Sequence, residues 1–399
     1  MAKKNKEDGQ HGEPSPDDDI SSELIKALNK EMGSRVAYNL ATDESPTHIK
    51  RWISSGSMLL DYIISNRRDG GYPEGRIIEI AGMPSTGKTH LACAAARNVQ
   101  AMGGLVVYAE TENAIMPSHL EELGLDIRRR FVYADPACTE DVFKVAEDVI
   151  VKTRAAVERK GMPILFVWDS VAATSPKAEL EGNYDKDTIG LQARTVSKCL
   201  RKITGIVGCN NVTFMALNQL RMKIGVMYGD PLVTPAGNAI PFHSSVRLRL
   251  GSGAKLVDGD KNQYGIKVIA STLKNKVARP GRKVEFEIHF GRGIVEHEQV
   301  LDVIRAHCKS KDGPVVRGDK DFLIEGEGAW KTLTVSSHET GEVYLEKKFT
   351  KNSFADVLKD EAYRSIIAEL LEDAMVIAPG GSIPTEGGSS ADESSESEG

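Results

Sequence analysis

The sequence has neither a long apolar run nor paired cysteines. No stretch of about 18 consecutive apolar residues occurs, which excludes a membrane-spanning helix. The chain contains 5 cysteines, an odd number, and no C-x-x-C pair. This pattern argues against a disulfide framework and against a zinc site. The basic residues at the start of the sequence are not followed by an apolar segment, so a secretory signal is not expected. These absences predict a protein of the reducing cytoplasm.

The sequence also lacks an excess of basic charge. Its 399 residues carry a net charge of -6, which argues weakly against nucleic-acid binding. Part of this charge comes from the region from Glu386 to Gly399, which holds several acidic residues and no basic one. Without that region the rest of the chain is closer to neutral, so the composition still allows a local basic strip.

Composition and hydrophobic periodicity divide the chain into five predicted segments. The two terminal segments are polar and poor in apolar residues, so we expect them to be disordered. The second segment begins with an amphipathic helix and continues as a linker with a predicted strand at 35–40. The segments are a tail at 1–19, the helix and linker at 20–56, a core at 57–295, a small α+β domain at 296–378 and an acidic tail at 379–399.

Short apolar runs alternate with helical patterns through the predicted core. The runs at 105–108, 164–168 and 212–217 are almost entirely apolar, as expected for strands of a parallel sheet that is buried on both faces. Helical patterns around 140–159 and 190–207 lie between them. The alternation predicts an α/β domain with a mainly parallel, twisted sheet.

One stretch has the spacing G-x-x-x-x-G-K-T of a phosphate-binding loop. A strand-like run precedes it and a helix-forming run follows it. Glycines let backbone N–H groups turn toward a phosphate, and the helix N-terminus adds positive potential. Lys88 can reach the outer phosphates, and the Thr89 hydroxyl can hold Mg²⁺. We therefore predict that a nucleoside triphosphate binds here, to Gly82, Met83, Pro84, Ser85, Thr86, Gly87, Lys88 and Thr89.

Acidic residues follow two of the predicted strands at their carboxyl ends, where ligands bind in open parallel sheets. Asp169 ends the run at 164–168 and can hold Mg²⁺ opposite Thr89. Glu110 and Glu112 follow the run at 105–108, and strand alternation predicts that both lie on one face. One of them can polarise the attacking water. We favour Glu112, with Glu110 as the second choice.

Three further features allow more than one interpretation. Gln219, at the end of another strand, is either a γ-phosphate sensor or a satisfied polar loop residue. The segment 220–229 mixes basic and large apolar residues with glycines, so it suits a nucleic-acid loop, a buried hairpin or a subunit contact. Lys274 and Lys276 are predicted to face one way from a strand. Their counter-charge is a neighbouring subunit's nucleotide, a nucleic acid or bulk solvent.

The segment that begins N-Q-L-R-M-K-I-G-V-M-Y-G at Asn218 resembles the second DNA-binding loop of bacterial RecA recombinases. The residues from 169 to 182 resemble the approach to the family's first DNA loop, and those from 190 to 202 resemble its exit helix. The resemblance extends over roughly residues 20–375. It implies a RecA-type P-loop ATPase core with two DNA-binding loops, a short N-terminal helix that docks on the adjacent subunit, and a small C-terminal domain.

The resemblance also implies a role for each matching residue. Glu112 would be the catalytic glutamate, Gln219 the γ-phosphate sensor, and Lys274 and Lys276 the pair that reaches the ATP of the neighbouring subunit. His119 stands where the family usually has an aromatic residue stacked on adenine. The positions that match DNA contacts are Ile189, Arg194, Ser197, Arg201, Met222, Lys223, Ile224 and Gly237.

The implied function is that of a DNA-dependent ATPase and homologous recombinase. Such a protein forms a helical filament on single-stranded DNA with ATP and Mg²⁺, pairs it with homologous duplex and exchanges strands. Single-strand-binding protein, recombination mediators and a self-cleaving repressor of the SOS response are the implied protein partners. A regulatory filament with little strand exchange and a ring-shaped helicase motor are the competing interpretations.

Overall fold

A computed structural model describes residues 20–45, 47–182, 190–222, 232–311, 313–326 and 328–378. The described residues fall into two compact units, one up to Lys50 and the other from Arg51 onward. The two predicted disordered tails lie outside the described residues. The same holds for three of the predicted DNA contacts, Ile189, Lys223 and Ile224.

The first unit contains helix α1 (Ile20–Glu31) and a non-regular segment. The predicted strand at 35–40 is wrong, because the structure has no strand there. The side chain of Asn29 accepts hydrogen bonds from the N–H groups of Val36 (2.7 Å) and Ala37 (2.8 Å) and donates one to the Ala37 carbonyl (3.0 Å). This side chain satisfies the backbone groups that a strand would use for pairing.

The second unit begins with the elements of the α/β core. Its first half comprises β1 (Trp52–Ile53), α2 (Met58–Ser65), β2 (Tyr72–Pro73), β3 (Ile77–Gly82), α3 (Lys88–Ala101), β4 (Leu105–Glu110), α4 (Pro117–Glu122), β5 (Phe131–Ala134), α5 (Thr139–Ala155), β6 (Ile164–Asp169), α6 (Lys177–Leu180), α7 (Leu191–Cys209) and β7 (Val212–Gln219). The next elements are β8 (Arg221–Met222), β9 (Leu232–Val233), α8 (Ala239–His243), β10 (Val246–Val257), β11 (Gln263–Asn275), β12 (Lys283–His289) and β13 (Gly293–Val295).

The main sheet has the strand order β13-β12-β11-β10-β3-β7-β6-β4-β5. The strands from β10 to β5 in this order are all parallel to their neighbours. The pairs β10–β11, β11–β12 and β12–β13 extend the sheet in antiparallel fashion. The predicted α/β class with a mainly parallel sheet is confirmed.

Helices cover both faces of this sheet. On one face, Ile78 and Ile80 of β3 join a core with Leu91 of α3, and on the other face Ile77 joins a core with α5 and α7. The second core is rich in aromatic contacts, such as the stack of Phe166 on Phe214 with 5.0 Å between ring centroids. Period-two alternation along β3 therefore supplies both cores. The loops at the ends of the parallel strands remain available for function.

A small antiparallel sheet with three helices follows the core, in agreement with the predicted α+β domain. Its elements are α9 (His297–Ser310), β14 (Val315–Arg317), β15 (Lys320–Glu325), β16 (Trp330–Ser337), β17 (Val343–Thr350), α10 (Phe354–Val357) and α11 (Glu361–Met375). The Tyr62 hydroxyl of α2 donates to the Ala368 carbonyl of α11 (3.3 Å). Arg282 of the loop before β12 donates to the Met375 carbonyl. These bonds tie the last helix to the core.

Two buried carboxyl groups organise the start of α2. Glu296 accepts hydrogen bonds from the Ser57 hydroxyl and from the Met58 and Leu59 N–H groups, so it caps the helix. Asp61 accepts from the Ser54 hydroxyl (2.6 Å) and the Ser55 N–H (2.8 Å). Burial raises the pKa of Asp61 to about 7, although these hydrogen bonds oppose the shift. The folded chain therefore disfavours the ionised form of this carboxyl group.

The Asp61→Asn substitution should remove one source of pH dependence from stability. The pKa of Asp61 in the folded state lies above its unfolded value of about 3.9, so its contribution is most favourable below that value and declines as the pH rises to about 7. Between about pH 5 and pH 7 the unchanged protein should lose roughly 2 kcal/mol of unfolding free energy through Asp61. The variant should lack this loss. Urea unfolding of both proteins across this range measures it, and parallel pH profiles would contradict the assignment.

Candidate active site

The segment between β3 and α3 has the backbone of a tight loop around the N-terminus of α3. Gly87 has a left-handed φ of 89° and serves as the N-cap of the helix, a conformation that favours glycine. Ser85 also has a positive φ, of 58°. A Cβ on Gly82 would lie 2.3 Å from the Thr86 hydroxyl. The side chains of Met83 and Ser85 are exposed at the rim. The loop thus exposes backbone at a helix N-terminus, where an anion is favoured.

The Lys88 side chain folds back onto the carbonyls of this loop. Its ammonium donates to the carbonyls of Gly82 (3.1 Å) and Met83 (2.9 Å). Burial lowers the pKa of Lys88, while the nearby charges of Asp169 and Glu112 act in the opposite direction. The ammonium therefore contacts the loop carbonyls and is near two carboxyl groups. This position suits it for binding the phosphates of a nucleotide.

Thr89 and Asp169, the predicted metal ligands, lie together. The Thr89 hydroxyl donates to Asp169 Oδ2 (3.2 Å), and the Tyr108 hydroxyl donates to the same oxygen (2.7 Å). Burial raises the pKa of Asp169, and the Tyr108 hydrogen bond opposes the shift. In the described parts of the chain, no cluster of three or more His, Cys, Asp or Glu residues could hold a metal ion. One hydroxyl and one carboxylate fit Mg²⁺, which usually takes few protein ligands together with substrate phosphates.

Glu112 and Gln219, predicted from separate strands, are in direct contact. The Gln219 side-chain amide donates to Glu112 Oε1 (3.1 Å), and the Ser170 hydroxyl donates to the same oxygen. β4 and β7 are separated by β6 in the sheet, so both residues come from strand ends on one edge. The Gln219 amide and the Ser170 hydroxyl thus share one oxygen of the Glu112 carboxylate.

Glu110 has a different role from Glu112. Its carboxylate is buried and accepts hydrogen bonds from the N–H groups of Glu112 (2.9 Å) and Ala114 (3.3 Å) and from the Tyr133 hydroxyl (2.9 Å). The prediction that both glutamates lie on one face is wrong, because β4 ends at Glu110 and alternation stops there. Glu110 builds the turn that presents Glu112.

Lys274 and Lys276 lie away from the phosphate loop of their own chain. The Lys276 N–H donates to the Ser245 carbonyl, and the Ser245 N–H donates to the Ile77 carbonyl at the start of β3. The loop follows the other end of β3, about 17 Å along the strand at ~3.3 Å per residue. Lys274 donates its ammonium to the Pro241 (2.6 Å) and Phe242 (3.0 Å) carbonyls of α8. The pair therefore lies at the amino ends of the parallel strands, opposite the end that carries the phosphate loop.

The described DNA-contact candidates lie on α7 and beside the second loop. Arg194 and Arg201 are exposed on α7, on a different side from the buried Val196 and Leu200, and Ser197 is half-buried between them. Met222 ends β8 and is 68% exposed. A Cβ on Gly237 would lie 3.1 Å from the Cβ of Ala193 at the start of α7. The chain at Gly237, which follows the predicted second DNA loop, therefore approaches the helix that carries the two arginines.

His119 lies near the phosphate-loop helix. Its ring makes an edge contact with His90 in the first turn of α3, with 5.9 Å between centroids. His119 is therefore close to the helix that follows the phosphate loop. Sequence reasoning did not select Tyr108 or Ser170, which bind Asp169 and Glu112. Their positions two residues before Glu110 and directly after Asp169 are the signals that could have identified them.

A buried polar network connects three neighbouring strands behind Gln219. Asn218 accepts a hydrogen bond from the Gln219 N–H (3.0 Å) and donates one to Glu79 Oε1 (2.9 Å). The other oxygen of Glu79 accepts from Arg247 of β10. Arg247 is directly opposite Lys274 in the β10–β11 register. The network therefore extends from the strand end that carries Gln219 toward the lysine pair.

Comparisons with known proteins identify relatives over most of this chain. A family model described as RecA N-terminal domain matches residues 20–295. The chain is 42% identical to Protein RecA of Borrelia hermsii over 317 residues, which cover 77% of this chain and 83% of the relative. It is 34% identical to Protein RecA of Francisella tularensis subsp. novicida over 366 residues, 91% of this chain and 92% of the relative. In the described residues, no helix is long and apolar enough to cross a membrane.

The Glu112→Gln substitution should lower the rate constant of ATP hydrolysis by about 10²- to 10⁴-fold, because a general base contributes on this scale. Binding of ATP should persist, since the phosphate loop is unchanged. Glu110→Gln is the matched control, two residues away. It should lower the unfolding temperature, because it removes an acceptor from a buried turn, but the folded fraction should keep most of its hydrolysis. Single-turnover hydrolysis measures both, and equal losses of rate would contradict the division of roles.

Proposed function

The chain belongs to the RecA family of DNA-dependent ATPases that act in recombination and repair, and we propose which of its residues carry that activity. ATP binds at the loop from Gly82 to Thr89, with Mg²⁺ as cofactor. Thr89 and Asp169 would hold the ion, which would supply charge neutralisation for the triphosphate. When ATP binds, the Lys88 ammonium leaves the carbonyls of the loop and binds the outer phosphates. His119 lies toward the nucleotide base of the ATP.

In the proposed mechanism Glu112 orients the attacking water and accepts its proton. Gln219 already contacts the Glu112 carboxylate (3.1 Å), and its amide can turn to a γ-phosphate oxygen. Nucleotide binding then changes the partner of Gln219, which lies four residues before the segment 223–231. This exchange of partners is the proposed link between the nucleotide and the second DNA loop.

The position of the two lysines is the observation that carries the proposal. Lys274 and Lys276 lie at the amino ends of the parallel strands, whereas the phosphate loop, Glu112 and Asp169 follow their carboxyl ends. Their ammonium groups therefore serve the nucleotide of another subunit. There they stabilise transition-state charge, as an arginine supplied in trans does. Each active site is completed between two copies, as a head-to-tail helical filament requires.

DNA lies along α7 and the two loops of each subunit. Arg194 and Arg201 contact phosphates, Ser197 donates a hydrogen bond, and Met222 packs on bases. Gly237 lets the second loop approach α7 closely. Ile189, Lys223 and Ile224 are proposed contacts by resemblance alone, because they lie outside the described residues. The segment 20–56 docks on the adjacent subunit through the apolar face of α1.

We place the protein in the cytoplasm with single- and double-stranded DNA as its partners. Its cysteines in the described residues are free, which suits a reducing compartment. The proposed core extends over 57–295 and the C-terminal domain over 296–378. Single-strand-binding protein, recombination mediators and a self-cleaving repressor are proposed protein partners by family resemblance.

Two inactive variants, Lys88→Ala and Lys276→Ala, should complement each other when mixed. A Lys88→Ala subunit cannot hold ATP productively but can present Lys276, and a Lys276→Ala subunit has the converse defect. In an equal mixture about a quarter of the interfaces combine two intact halves, so roughly a quarter of the DNA-stimulated ATPase rate should return. Hydrolysis with single-stranded DNA measures this recovery. A rate equal to the average of the two separate variants would place the lysines in their own subunit's site.

Strand exchange between homologous DNAs should require ATP, Mg²⁺ and an intact Lys88. The unchanged chain should convert single-stranded circles and homologous linear duplex into joint molecules, because the proposed filament pairs the two DNAs. Lys88→Ala is the control, since it should bind no ATP productively. DNA-stimulated hydrolysis without any joint molecules would favour a regulatory filament instead.

A further inference from the structure

We propose that Glu79 is a positioning residue which couples the nucleotide sensor Gln219 to Lys274 of the same subunit, so that successive ATP sites along an assembly respond to one another. The inference rests on the proposed function, because it uses Gln219 as the sensor and Lys274 as the group supplied to the next subunit. It adds a path inside each subunit between the two half-sites.

The first step of this path is the buried Asn218, which links Gln219 to Glu79 through two hydrogen bonds. Asn218 is fully buried, and its amide group binds the Gln219 N–H on one side and Glu79 Oε1 on the other. Glu79 is also fully buried, in the centre of β3. A shift of the Gln219 backbone toward a phosphate therefore changes the position of Asn218, and Glu79 must follow or lose a buried hydrogen bond.

The second step is the ion pair between Glu79 and Arg247. The Glu79 side chain is 0% exposed and that of Arg247 is 18% exposed, so solvent cannot readily replace either partner. Removing one partner from such a buried pair leaves an uncompensated charge. The pair therefore transmits displacement between β3 and β10, which are hydrogen-bonded neighbours with Arg247 in register with Glu79.

The third step is the position of Lys274 opposite Arg247. The two residues are cross-strand partners in β10 and β11, a spacing at which side chains on one face interact. Burial is the main cause of the lowered pKa of Lys274; the charges of Lys276 and Arg247 lower it further, and Glu79 raises it. Glu79 thus acts as the counter-charge that lets three cations share this edge of the sheet.

A second ion pair, with a buried carboxylate and a partly exposed arginine, supplies the control. Arg51 donates hydrogen bonds from two nitrogens to the carboxylate of Glu74, whose side chain is only 1% exposed. This pair lies in the same unit, and none of the hydrogen bonds that link Gln219 to Arg247 involves it. Loss of Glu74 should therefore destabilise the fold in a comparable way without affecting communication between the sites.

The test is the dependence of DNA-stimulated ATP hydrolysis on ATP concentration in the full chain. The unchanged protein should show a Hill coefficient above one. Glu79→Gln and Asn218→Ala should lower it to about one, because each breaks the path at a different bond. Glu74→Gln should leave the Hill coefficient unchanged while lowering the unfolding midpoint. Where Glu79→Gln does not fold, Asn218→Ala decides, since it leaves the Glu79–Arg247 pair intact.

Several outcomes overturn the inference. An unchanged Hill coefficient in the folded Glu79→Gln or Asn218→Ala protein shows that the path carries no coupling. An equal fall in Glu74→Gln shows that general destabilisation is the cause. Non-cooperative hydrolysis by the unchanged chain also overturns the inference, while the proposed hydrolysis stands. Absence of any DNA-stimulated hydrolysis in the unchanged chain overturns the proposed function, and the inference with it.

Discussion

The common direction of six neighbouring strands brings their carboxyl ends to one end of the sheet; these strands are β10, β3, β7, β6, β4 and β5. The phosphate loop, Glu112, Asp169 and Gln219 each follow one of these ends, so residues far apart in sequence meet without long loops. Strand β11 runs in the opposite direction, so Lys274 near its end lies at the amino ends of the parallel strands. In the proposed mechanism, a single chain therefore holds both halves of a site but cannot bring them together, so association between copies becomes part of the chemistry.

The buried polar residues of the sheet need a separate explanation, because they are unfavourable in an apolar interior. Desolvation of an ion pair such as Glu79–Arg247 offsets much of its Coulomb energy, and an apolar replacement of similar volume is often as stable. The presence of this pair is therefore weak evidence that it stabilises the fold. Its hydrogen bonds connect the carboxyl end of β7 to β10 across β3, which gives the strands a fixed relative position that interchangeable apolar contacts do not impose.

Local patterns in the sequence were sufficient to predict most of the core but not the partners of its side chains. The apolar runs and the phosphate-loop spacing predicted β3, β4, β6 and β7, and hence the edge at which Asp169 and Gln219 lie. Alternation failed at Glu112, because it assumes a strand that continues past Glu110. The segment at 35–40 has the composition of a strand, yet the Asn29 side chain takes its backbone bonds. Such contacts depend on tertiary position, which periodicity does not contain. The sequence also could not choose among the counter-charges of Lys274.

In the single chain, the contacts of Lys274 explain how its positive charge is accommodated at the amino ends of the parallel strands. Its ammonium binds the Pro241 and Phe242 carbonyls near the end of α8, where carbonyl dipoles favour positive charge. These are neutral acceptors at a partly exposed site, so a phosphate with full negative charge is a stronger partner. α8 follows the proposed second DNA loop in sequence and packs on α7, where the Thr204 hydroxyl and His243 Nδ1 are 2.8 Å apart. In the proposed mechanism, a shift of α8 on DNA binding changes the hold on Lys274 and thereby the completion of the neighbouring site.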